Sequence, residues 1–211
     1  MSEYIPAIKS GNPHYVRFVN QLYDSLQSRS SSLLSRPLLL TAAMNGYAGP
    51  LFAQLADQFD QINIMTYDMS GAWQGWVVWH NAPVYDGGYK FPGTNEVVPS
   101  ADGDVKSFIN AGILKSKIGI GADFYGYVWS GVTRPRQTWT STPSVTDNVP
   151  YYQLMNTYAS YPVEWDSIAQ AARIKVPAVF AGGWYDVFLQ GTIDGFVSRH
   201  NDGGPGANPK F

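Results

Sequence analysis

The chain has 211 residues, and its 14 Lys and Arg against 16 Asp and Glu give a formal net charge of −2 with no basic patch, which excludes nucleic acid and an anionic membrane as main partners. The absence of cysteine excludes disulfides and thiolate metal sites, while 15% aromatic residues against 14% charged ones suit a neutral, ring-shaped ligand. Met1 to Pro6 lack the basic and apolar regions of a signal peptide, and no apolar run approaches the roughly 20 residues of a membrane span, so the chain as written is expected to be soluble and cytoplasmic.

Tyr15, Phe18, Val19, Leu22, Tyr23 and Leu26 share one face of a helix that Asn12-Pro13 would start. The serines from Ser28 to Ser35 read as the loop that ends it. Pro37 to Ala43 reads as a buried strand, Leu51 to Phe59 as an amphipathic helix, and Gln61 to Asp68 as a second strand. Trp73 to Pro99 is a Gly/Pro/aromatic excursion, in which Trp73, Trp76 and Trp79 form either an exposed platform or a loop mini-core. Ser100-Ala101-Asp102 can cap a helix to Ala111, with Gly112 as its stop. Lys117 to Ala122 reads as a third strand, Thr133 to Asn148 as a polar loop, and Tyr151 to Tyr158 and Trp165 to Ala172 as helical turns. Val176 to Gly182 reads as a fourth strand, Thr192 to Ser198 as a short helix, and the residues from Asn201 onward as a flexible tail. Four alternations of strand and helix predict an α/β fold with parallel strands.

Met65-Thr66-Tyr67-Asp68 places a phenol and a carboxylate at the carboxyl end of a strand, where parallel α/β folds keep their sites. With Met69 to Trp73, His80 to Tyr85 and the Lys117–Trp129 segment, it resembles glycoside hydrolase family 18, the chitinases and related N-acetylglucosaminidases. The resemblance runs from about Pro13 to Ala172. It implies a half (βα)8 (TIM) barrel over residues 1–172, whose sheet the strand and helix of residues 173–200 complete to about four βα units, because a complete barrel needs roughly 250 residues. It also implies a neutral amino-sugar oligosaccharide as ligand and substrate-assisted cleavage. In that chemistry a glutamic acid protonates the leaving oxygen and the sugar's own acetamide attacks. By the same resemblance Tyr67 bonds the acetamide oxygen, and Asp68 contacts the sugar or tunes the acid. Met65, Trp73, Tyr125 and Trp129 contact substrate. The family's acidic motif, D-x-x-D-x-D-x-E, can be laid only by its end over this chain, making Glu3 the candidate acid. Its orienting aspartate then falls on Met1, which cannot do that work.

Residues 173–200 look different. Gly182-Gly183-Trp184-Tyr185-Asp186 resembles the cocaine-esterase and X-prolyl-dipeptidyl-peptidase group of α/β-hydrolases, in which the matching aspartate belongs to a Ser-Asp-His triad. No G-x-S-x-G elbow accompanies it, so Asp186 reads as a turn residue. Trp184 would serve as a floor for the sugar or as a core residue. His14, His80 and His200 lack metal-ligand spacing, Asp102 and Asp104 read as helix-start caps, and neither metal nor cofactor is implied. Half a barrel leaves sheet edges open, so a homodimer is expected. The functions in view are binding or slow hydrolysis of β-1,4-linked N-acetylglucosamine oligomers by an incomplete site, a non-catalytic chimeric folding product and, third, an esterase.

Overall fold

A computed structural model describes residues 12–33, 38–158 and 189–205, which fall into two compact units, Met1–Ala122 and Asp123–Phe211. The expected boundary at residue 172, the helical turn at Trp165–Ala172 and the strand at Val176–Gly182 lie outside the described residues.

The first unit begins with helix α1 (Pro13–Leu33), whose start is capped by Asn12 through a 3.0 Å bond from the His14 N–H to Asn12 Oδ1. The helix does not end at Ser28, as expected, but runs on to Leu33. Ser25 Oγ donates to the Gln21 carbonyl at 2.8 Å and Ser28 Oγ to the Ser25 carbonyl at 2.9 Å, so the hydroxyls satisfy themselves on the preceding turn. Strand β1 (Thr41–Met44) begins later than Pro37. Ahead of it, Leu40 and Asp60 lock together, Leu40 N–H to Asp60 Oδ2 at 2.7 Å and Asp60 N–H to the Leu40 carbonyl at 2.8 Å. A 3-10 turn (Gly46–Ala48) leads to the short helix α2 (Gly49–Ala53), which has Pro50 in its first turn. Strand β2 (Gln61–Ile64) follows. After the excursion come helix α3 (Ala101–Asn110) and strand β3 (Ile118–Ile120).

The three strands form one parallel sheet in chain order, with Ala42, Ile62 and Ile118 in one row and Met44, Ile64 and Ile120 in the next. Helices connect the strands, as the alternation predicted. Side chains alternate across a strand. The buried Ile62 and Ile64 therefore face a core made with Val19, Leu51, Phe52, Leu55, Phe59, Phe108 and Ile113, while Thr41, Gln61, Ala43 and Asn63 take the other face. Phe52 and Phe108 are both 0% exposed, and burial of such a side chain contributes about 1.5–3 kcal/mol.

The second unit holds a ribbon that the sequence reading did not expect. Strand β4 (Tyr125–Ser130) pairs antiparallel with β5 (Ser144–Pro150), the stretch whose polarity read as loop. An antiparallel ribbon can keep one face in water, which admits the exposed Ser144, Thr146, Asp147 and Asn148 beside the buried Val149. Helix α4 (Tyr151–Thr157) follows directly, as the sequence indicated, and Leu154 packs against the Gly126 backbone of β4. The last helix, α5 (Leu189–Asp202), is longer than Thr192–Ser198 at both ends and takes in Asn201 and Asp202 from the presumptive tail.

Candidate functional site

The carboxyl ends of β1, β2 and β3 are level. Met65 N–H donates to the Met44 carbonyl and Gly121 N–H to the Ile64 carbonyl, both at 2.7 Å, one residue past each strand. The chain then leaves the sheet through Thr66, which is buried and donates its hydroxyl to the Gly121 carbonyl at 2.6 Å. This bond ties the exit of β2 to that of β3 and sets the next residue over the sheet end. Tyr67 is half-buried, and its ring lies on Gly121 so closely that a Cβ there would stand 2.8 Å from Cε1. Only glycine leaves that space. Asp68 is exposed and sits at φ 60°, in the left-handed region. Its N–H donates to Asn81 Oδ1 at 3.0 Å, and the Met69 N–H donates to the Asn81 carbonyl at 3.0 Å.

The excursion supplies Asn81 from a fixed base. Val77, Trp79 and Val98 are buried together with Phe91 against them, and Trp79 Nε1–H bonds the Pro99 carbonyl at 2.9 Å. Ser70 Oγ donates to the Trp79 carbonyl at 2.5 Å. The tryptophans therefore divide. Trp79 belongs to a loop core, whereas Trp73 is 41% exposed and meets Trp76 edge-on at 4.5 Å.

A carboxyl group near the same strand ends is perturbed. Asp104, in the first turn of α3, packs against Gly46 in the turn that follows β1, and burial pushes its pKa up to about 6. Burial raises the phenol of Tyr47, and the Asp104 charge raises it further. Among the described residues, no group of three or more His, Asp or Glu side chains could hold a metal ion, and no helix is long and apolar enough to cross a membrane. A shallow groove of about 430 Å³ along α1, lined by Val16, Arg17 and Asn20 among others, includes none of the expected site residues.

Residues 3–180 match the family model for glycosyl hydrolases family 18. The chain belongs to that family. It is 29% identical over 188 residues to chitinase A1 of Niallia circulans, an alignment covering 79% of this chain and 25% of that protein. Among solved structures, the family 18 N-acetylglucosaminidase of Paenibacillus barengoltzii superimposes with a TM-score of 0.55 at 23% identity, over 72% of this chain and 44% of that one. YKL-39, solved in the presence of chitooligosaccharides, gives a TM-score of 0.60 at 20% identity, over 73% and 46% of the two chains. At these identities the likeness is one of fold. This family 18 chain thus spans about a quarter of the length of its curated relative and under half of these structural neighbours.

Of the residues expected in the site, Met65, Tyr67 and Asp68 lie on one segment leaving β2, and Trp73 follows in the same unit. Tyr125 and Trp129 lie at half-buried positions on β4 of the second unit, where Trp129 packs against Trp139 at 5.8 Å between ring centroids. Glu3, Trp184 and Asp186 lie outside the described residues. His80 sits against the Trp79 ring at 5.0 Å and His200 stacks on Phe196 at 5.8 Å, contacts of a packing kind. Sequence reasoning missed Thr66, Asn81 and Gly121, which bond to or pack against the segment that carries the Tyr67–Asp68 pair. A lone glycine after a strand carries no signal of its own. Asn81 was visible only as part of the His80–Tyr85 resemblance.

Proposed function

We propose that this family 18 chain binds oligomers of β-1,4-linked N-acetylglucosamine at the carboxyl end of its parallel sheet and hydrolyses them slowly. The observation that carries this is the Tyr67–Asp68 pair at the exit of the central strand, the phenol seated on Gly121 and the carboxylate exposed. In this reading the Tyr67 hydroxyl donates to the acetamide oxygen of the bound sugar, turning that group toward the anomeric carbon, and Asp68 accepts from a sugar hydroxyl. Met65 and Trp73 supply apolar and aromatic contacts, which suit the hydrophobic faces of pyranose rings. Glu3 is the proposed acid. The chitooligosaccharide present with YKL-39 supports the ligand class.

The half barrel is proposed to be built from residues 1–172, brought to about four βα units by the strand and helix of residues 173–200 and completed or covered by dimerisation. A second parentage for residues 173–200 rests on Gly183-Trp184-Tyr185-Asp186, which lies beyond the family match. A non-catalytic chimera of the two pieces is the competing reading, and it predicts that no sugar shifts the thermal transition.

The test is titration with the N-acetylglucosamine tetramer, followed by tryptophan fluorescence. The wild-type signal should saturate, and Tyr67→Phe, which removes one hydrogen bond worth about 1 kcal/mol, should weaken binding roughly fivefold. Release of reducing ends should be slow and should stop in Glu3→Gln. A flat titration at millimolar tetramer would overturn the reading.

A further inference from the structure

Asp68 adopts φ 60°, in the left-handed region that aspartate enters more readily than most side chains but still at a cost that local bonds offset. Two bonds from a single residue supply the hold. The Asn81 carbonyl accepts the Met69 N–H, and the Asn81 side chain accepts the Asp68 N–H. A backbone N–H can only donate, so the side-chain amide must turn its oxygen to Asp68, and the orientation is unambiguous. Asn81 is itself fixed, two residues after Trp79, which is 5% exposed, accepts Ser70 Oγ at 2.5 Å and donates to the Pro99 carbonyl. On the other side of the pair, Thr66 is locked to Gly121. Backbone and side-chain bonds therefore grip the segment at Met65, Thr66, Asp68, Met69 and Ser70, which leaves the Tyr67 phenol poised between fixed points.

We infer that Asn81 is a positioning residue: its side-chain amide holds the Tyr67–Asp68 turn in the left-handed geometry that presents both side chains to the sugar. The inference rests on the reading of Tyr67 and Asp68 as the sugar site, and it assigns to Asn81 no contact with the reacting atoms. Replacing its side chain leaves the backbone tie to Met69 intact, so the turn loosens without losing its anchor. A residue that served packing alone would act on the whole unit.

The test uses the full chain as wild type, Asn81→Ala and Asn81→Asp, with two readouts. Amide hydrogen exchange should show Asp68 protected in the wild type, at least tenfold faster in Asn81→Ala, and protected again in Asn81→Asp, whose carboxylate retains an acceptor. The amides of Ile62 and Ile64 should not change. Affinity for the N-acetylglucosamine tetramer should fall about fivefold in Asn81→Ala and return to within twofold in Asn81→Asp. Unaltered Asp68 exchange in Asn81→Ala overturns the inference, and so does unaltered affinity for the tetramer. If wild type does not bind the tetramer, the sugar reading falls by itself. Exchange alone then decides: selective loss at Asp68 upholds the holding role, and retained protection overturns it. If Asn81→Ala does not fold, Asn81→Ser, which shortens the side chain beyond reach, is judged by the same criteria.

Discussion

Asp104 is pulled in two directions. At the N-terminal turn of α3 the helix dipole favours its charged form, whereas packing against Gly46 strips water from it. Burial wins, since the pKa rises from 3.8 to about 6. A carboxyl group raised on folding makes the native state hold its proton over a range where the unfolded chain has released it. Stability therefore falls as pH rises through the window from 3.8 to about 6, and is level on either side as far as this group is concerned. Asp104→Asn removes the titrating group. It should raise stability at pH 7.5 by on the order of 1 kcal/mol, a value held down by the solvent that still reaches the site. Thermal unfolding of both proteins between pH 3.5 and 8 checks this: the two midpoints should converge at the acid end and separate toward neutrality. Parallel curves would contradict it.

At the scale of elements, α3 shows how short-range chemistry shapes this unit. Ser100 is extended, and its Oγ accepts the Gly103 N–H at 3.1 Å. Asp102 pairs with Lys106 at 2.7 Å, and Gly112 ends the helix at φ 99°. Phe108 brings the helix into the core at 0% exposure. Because the hydroxyl is buried and the N–H it satisfies belongs to the first turn, Ser100→Ala should cost about 1 kcal/mol in urea unfolding with an unchanged slope. A midpoint equal to wild type would show that the cap carries no weight. This helix was legible in sequence for the same reason, since its start and stop signals are side chains inside it or next to it. The course of α1 past Ser28 was hidden because serine reads as a loop former until its hydroxyl is seen bonding the previous turn. The ribbon of β4 and β5 was hidden because its pairing is non-local and its exposed positions are polar. The site divides in the same way. Tyr67 and Asp68 stood out as a motif on a strand end, but the clamp from Asn81 joins residues that only the fold brings together.

For the molecule as a whole, the open question is what meets the sheet edges of the first unit. Among the described residues, β1 and β3 each have one strand neighbour, and Leu39, Leu114 and Ile120 are 66%, 63% and 63% exposed. Parallel sheets are ordinarily covered on both faces, and an open edge offers unpaired N–H and carbonyl groups to another strand. Ile120 makes the point sharply. It continues the row of Met44 and Ile64, yet Ile64 is 0% exposed while Ile120 faces water. A second copy of the chain would supply strands of the same kind and cover such a surface, which is the ground on which the homodimer is proposed, at micromolar concentration. Sedimentation equilibrium should return twice the 23.3 kDa chain mass, and Ile120→Lys, which places a charge on the exposed edge, should shift the equilibrium toward monomer without lowering the helix content of the circular dichroism spectrum. A stable, folded monomer at that concentration would overturn the dimer and assign the cover of Ile120 to the chain's own residues.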